Sequence, residues 1–140
     1  MKQQLAIISI VVCAFSTCLY AASSQPEMCP GVNAIKAAPF FIQKDFTTSG
    51  GANYYTATQE DQKYDTNWKE AWHFEVVDIE AASIEDARQM LNNVLPTLSF
   101  KEGPRQVGNL GWNCDYDIGS EYKAYAATDA AGGLRHSLRR

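Results

Sequence analysis

The sequence predicts a single α+β domain. It is an antiparallel β-sheet of about five strands, with two helices packed on one face and one disulfide. Three observations predict it. Residues 71–79 alternate with period two, as a half-buried strand does. Residues 83–95 carry an apolar stripe at three- and four-residue steps, as an amphipathic helix does. Only one long crossover, the one holding that helix, separates consecutive strands.

The stretch from Tyr64 to Pro104 organises the rest. In it, Trp72, Phe74 and Val76 point one way and His73, Glu75 and Val77 the other, so the aromatic side is the expected core face. Ser83 is a good N-cap, and Glu85 and Asp86 suit the positive end of a helix. Ile84, Ala87, Leu91, Val94 or Leu95, and Leu98 form the stripe, while Arg88, Gln89, Asn92 and Asn93 take the wet side. Pro96 cannot continue an interior ladder, so the helix is placed at about Ser83 to Leu95.

Before this stretch, Val32, Ile35 and Lys36 with three alanines predict a short helix ended by Pro39. Phe40–Phe46 and Asn53–Thr58 read as a hairpin around the turn signal Thr48-Ser49-Gly50-Gly51. After it, Gly103-Pro104 and Gly108–Gly111 read as breaks. Trp112–Tyr116 and Tyr122–Ala127 read as the last two strands.

Both termini are expected outside the domain. Residues 1–21 read as a signal peptide: Lys2, an apolar run from Leu5 to Phe15, and Leu19-Tyr20-Ala21 at the cleavage position. The run is too short to span a bilayer, and no stable membrane anchor is expected after cleavage. A lipoprotein anchored at Cys18 is the rival reading, disfavoured by Thr17 before it. The exported domain is then 22–133, in the periplasm or secreted, followed by a basic C-terminal tail, 134–140. That tail holds Arg135, His136, Arg139 and Arg140 and reads as a solvated end or a tether for an anionic surface.

Export leaves Cys29 and Cys114, an even pair in an oxidising compartment, and a disulfide between them is expected. It would close a loop of about 85 residues, worth about 4–5 kcal/mol in the chain-entropy model. The rival is a thiolate ligand or redox centre at Cys29.

Composition narrows function. The chain carries 16 acidic and 12 basic residues, a net charge of −4, so nucleic acid is not an expected partner. No nucleophile motif accompanies either of its two histidines, and no metalloprotease motif is present. Asp115 and Asp117 share a strand face, and Asp61, Asp65 and Asn67 loosely resemble a calcium loop. The first pair reads as solvated surface, and the second lacks the glycine and distal glutamate. The chain is not expected to be an enzyme. Haem is the one cofactor with a conceivable ligand set: His73 between Trp72 and Phe74, Cys29 before Pro30, and several tyrosines.

Six motifs then matter together: CPGVNAIK, YDTN, the pair Trp72 and Phe74, ASIEDA, the run from Leu98 to Gly103-Pro104, and GNLGWNCDYD. In order and spacing, from about Cys29 to Ala127, the chain resembles a family of small exported proteins from Legionella and relatives. Some members of that family are named haemin-binding protein. The resemblance implies an exported, non-catalytic haemin-binding protein that assists haem or iron acquisition, and it names no ligand. His73 is the cofactor-binding candidate on ligand chemistry. The alternative is an exported structural or protein-interaction module without a cofactor.

Overall fold

In the computed structural model, residues 26–66, 68, 70–108 and 111–128 are described below. The signal peptide, the basic tail and Asn67 lie outside these residues. Helix α1 (Val32–Ala37) leads into strands β1 (Phe41–Thr47), β2 (Asn53–Gln62) and β3 (Trp72–Glu80). Helix α2 (Ile84–Val94) follows, then a single 3₁₀ turn (Leu95–Thr97). Strands β4 (Ser99–Gln106), β5 (Trp112–Ile118) and β6 (Tyr122–Thr128) complete the chain.

All six strands form one antiparallel sheet in the order β1-β2-β3-β6-β5-β4. The first three strands run as a meander. The crossover through α2 then carries the chain to the far edge, and β4, β5 and β6 step back toward β3. The β1–β2 turn closes through Gly51 N–H to the Thr48 carbonyl at 2.9 Å, with Gly51 at φ 89°. That left-handed conformation is one glycine adopts without a Cβ penalty.

Both helices pack on one face. Ile35 of α1 and Ala87 and Leu91 of α2 join Ile42, Trp72 and Phe74 in one buried cluster. Phe74 sits at its centre, edge-on to Phe40 at 6.0 Å and to Tyr116 at 5.4 Å. Ser83 caps α2 as expected: its Oγ accepts from Asp86 N–H at 3.1 Å and donates to the Asp86 carboxylate at 2.8 Å. Pro96 ends the α-helix one residue before the expected boundary, and the 3₁₀ turn takes over. Leu98 is buried, but it lies past the helix rather than on its stripe.

The sheet has six strands where about five were expected. The addition is β4, whose Gly103-Pro104 reads as a break in the sequence. A proline is tolerated there because β4 is an edge strand, where a missing N–H leaves no ladder position empty. Gly103, at φ 129°, also lets β4 pass closely over its neighbour. A Cβ there would lie 2.9 Å from the Asn113 carbonyl oxygen and 3.0 Å from Cys29 Sγ.

The Cys29–Cys114 disulfide is present and joins the lead-in of α1 to β5. It is the bond of an oxidising compartment. Among the described residues, no helix is long and apolar enough to cross a membrane.

Candidate functional site

The helix-free face of the sheet carries the polar chemistry. Alternation from buried Trp72 and Phe74 places His73, Glu75 and Val77 of β3 on it. A bulge near Asp78, at φ 63°, then returns Ile79 to the helix side. Across the β3–β6 ladder, His73 stands opposite Ala127, Glu75 opposite Tyr125 and Val77 opposite Lys123.

Glu75 is 9 % exposed and Tyr125 4 %, and the Tyr125 hydroxyl donates to the Glu75 carboxylate. The bond keeps a buried carboxylate satisfied where an unpaired one would be costly. Val77, Tyr125 and Ala127 form a small second cluster with Val107.

Toward β4 this face becomes a ladder of opposite charges. Arg105 pairs with Asp115, Lys101 with Asp117 at 3.3 Å, and Lys123 with Asp78 at 3.6 Å. A polar recess of about 230 Å³ lies among Lys101, Asp117, Lys123 and Tyr125. Asp115 and Asp117, the acidic pair of the sequence, are therefore each held by a cation. Asp65, of the loose calcium resemblance, accepts from Gly31 N–H at 2.8 Å. Among the described residues, no group of three or more His, Cys, Asp or Glu is placed to hold a metal ion.

A different opening lies at the other end. A cleft of about 380 Å³ is lined by Pro39, Phe40, Phe41, Thr58, Gln59 and Glu60. Phe40 and Ile42 pack toward the helices, so Phe41 points the opposite way, and its ring is 66 % exposed. The ladder from Phe41 to Thr58 to Glu75 ties this cleft to β3. The bulge at Glu60 and Asp61, with Asp61 at φ 53°, lies opposite His73. His73 and Phe41 thus share one face and one end of the sheet, with β2 between them.

The donor set can be tested for haem. Cys29 is spent in the disulfide. An axial tyrosine binds as phenolate, and four of the described tyrosines, Tyr54, Tyr64, Tyr116 and Tyr122, hold their protons more tightly than a free phenol. Burial pushes the Tyr64 and Tyr116 phenols well up, and in Tyr116 the charges of Tyr64 and Asp65 add to it. The hydrogen bond to Glu80 raises Tyr54, and burial raises Tyr122. Tyr55 and Tyr125 are buried. Among the described residues the remaining donor types are the imidazole of half-buried His73 and the thioether of exposed Met28, far weaker in kind. The apolar wall expected from Trp72 and Phe74 does not stand at His73, because both rings are fully buried on the helix side. Phe41, across β2, is an exposed ring on the same face.

Sequence reasoning missed the Phe41 cleft and the Glu75–Tyr125 pair. The first had a signal: two adjacent aromatics in a strand cannot face the same side, so one of Phe40 and Phe41 had to leave the core. The second had none, because strand partnership across β3 and β6 is a tertiary fact. No family model, no curated protein and no solved structure matches this chain.

Proposed function

We propose that this is an exported, non-catalytic haemin-binding protein that assists haem or iron acquisition, with His73 as axial ligand. The observation that supports it best is the placement of His73 and the open Phe41 cleft on one face at one end of the sheet. Imidazole supplies the donor, and the Phe41 ring supplies apolar contact for a flat macrocycle. The disulfide and the signal-like N-terminus support export. The family resemblance supports the ligand.

The test is a titration of residues 22–140 with haemin, followed by the Soret band, beside His73→Ala and an unrelated acidic protein. A saturable one-to-one shift lost in His73→Ala is expected. No shift beyond the acidic control at micromolar haemin would remove the reading.

A second reading, a protein-interaction module, is favoured by one specific observation. Both sheet edges show aromatic rings: Phe46, 51 % exposed and stacked on Tyr54 at 4.9 Å, on β1, and Phe100, 51 % exposed, on β4. An unpaired edge with apolar side chains is a template for a partner strand.

A further inference from the structure

We infer that external thiols exchange with the disulfide at Cys29, with Cys114 as the leaving sulfur, so that Cys29 is a thiol-exchange site for a dithiol partner. The two sulfurs sit in unlike places. Cys114 is fully buried on β5, an inner strand between β4 and β6, and belongs to the main cluster under the helices. Cys29 is half-buried in the irregular lead-in before α1 and only packs against that cluster. Glu27 and Met28, the two residues before it, are exposed. Gly103 of β4 passes beside the Cys29 sulfur, where a Cβ would stand 3.0 Å from Sγ. Glycine leaves that side of the sulfur without a covering side chain.

Access and leaving-group chemistry pull in opposite directions. A buried sulfur leaves slowly, which disfavours attack at Cys29. Attack at Cys114 would instead carry a charged thiolate into the cluster that holds Phe74 and Tyr116 and strip it of water. A thiolate that cannot reach a sulfur does not react at all, so access decides.

The exchange balances as a two-electron step. A thiolate's electron pair forms a bond to Cys29 Sγ. The Cys29–Cys114 bond breaks, and its pair leaves on Cys114 Sγ, which takes a proton. The partner's second thiolate then attacks the partner's own sulfur in the mixed disulfide. Cys29 leaves as a thiolate and takes a proton, and the dithiol is oxidised to a disulfide. The Tyr116 hydroxyl still holds the Pro30 carbonyl at 2.5 Å, so the lead-in stays seated while exchange proceeds. The inference does not depend on haemin binding, and its test uses no haemin.

The probe is reduced glutathione, added to folded residues 22–140 and quenched early with N-ethylmaleimide in guanidinium. Mass spectrometry of the digest reads which cysteine carries glutathione. Glutathione on Cys29 and maleimide on Cys114 are expected, about tenfold or more over the reverse, because a buried sulfur reacts only through local opening. Begun in guanidinium, the same reaction should lose that preference. Glutathione on Cys114, equal labelling in the folded protein, or no mixed disulfide before unfolding would overturn the inference. So would a preference that persists in guanidinium, which would belong to local sequence. Single-thiol variants give a second measurement that needs no trapped intermediate. In Cys114→Ser, Cys29 should react with dithionitrobenzoate about tenfold faster than Cys114 does in Cys29→Ser, with circular dichroism showing both variants folded. Equal rates in the two folded variants would also count against Cys29.

Discussion

The Tyr116 hydroxyl donates to the Pro30 carbonyl at 2.5 Å, two residues along β5 from the cysteine that bonds Cys29. One strand therefore grips two consecutive residues of the lead-in, once covalently and once by a buried hydrogen bond. Tyr116→Phe would leave the Pro30 carbonyl buried without that donor, and it should cost about 1–3 kcal/mol. Replacing both cysteines by serine should cost up to about 4–5 kcal/mol, for a closed loop of 85 residues. The two clamps share a segment, so the combined variant should lose less than the sum. Urea unfolding of the three variants checks this, and strict additivity would show that the clamps act independently.

Gln59 is a second anchor, for α1. It is 2 % exposed, and its amide nitrogen donates to the carbonyls of Ile35 at 2.9 Å and Ala38 at 2.7 Å. Its amide oxygen accepts from the Tyr64 hydroxyl at 2.8 Å. Gln59→Ala would strand three partners and should cost about 3 kcal/mol. Gln59→Glu keeps the shape but turns a carboxylate toward two carbonyl oxygens. It should be more damaging at neutral pH than near pH 4, where the side chain can regain a proton. Urea midpoints at the two pH values decide this, and equal losses would mean that α1 relaxes away from the charge.

Much of this frame is legible in the residues. Trp72 to Val76 alternate so plainly that the core face of β3 can be read directly, and Ser83 with Asp86 marks the start of α2. The β1–β2 turn shows in Thr48 to Gly51. Local chemistry settles these features, and the sequence records local chemistry. The strand β4 is different. Its Ser, Lys, Glu, Gly, Pro and Arg carry no burial signal, and its pairing with β5 makes it a strand. The candidate site divides the same way. That His73 leaves the core follows from alternation, whereas its place beside β2's bulge and near the Phe41 cleft depends on cross-strand register. Trp72 and Phe74, neighbours of His73 in sequence, are on the far side of the sheet from it.

The tyrosines set an alkaline limit. Burial raises Tyr64 and Tyr116 above the ordinary value of 10.0, a hydrogen bond to Glu80 raises Tyr54, and burial raises Tyr122. Each phenol holds its proton more tightly in the folded chain than in the unfolded one. The stability this contributes is whole below the unfolded value, about pH 10, and is lost as pH rises through it toward the folded value. Unfolding midpoints should therefore be flat toward pH 9 and fall steeply above about pH 10. Tyr64→Phe removes one strongly raised phenol, so its midpoint should fall less steeply there, although it starts lower for want of the bond to Gln59. Parallel falls in the two proteins would assign the alkaline limit to other groups.

His73 and Phe41 offer the cleanest separation of binding from folding. Phe41 is 66 % exposed and outside the main cluster, so Phe41→Ser should shift unfolding by no more than about 0.5 kcal/mol. If the ring is the apolar wall for haemin, the same change should weaken haemin binding about tenfold while leaving the Soret position intact, because the axial donor is untouched. His73→Ala should do the reverse in kind and move or abolish the Soret shift. A weaker affinity with an unchanged band in His73→Ala would mean that haemin adheres to apolar surface without imidazole ligation. The exposed rings at Phe46 and Phe100 would then become the first places to look for a protein partner. Loss of both affinity and band in His73→Ala, against loss of affinity alone in Phe41→Ser, would assign the donor to β3 and the wall to β1.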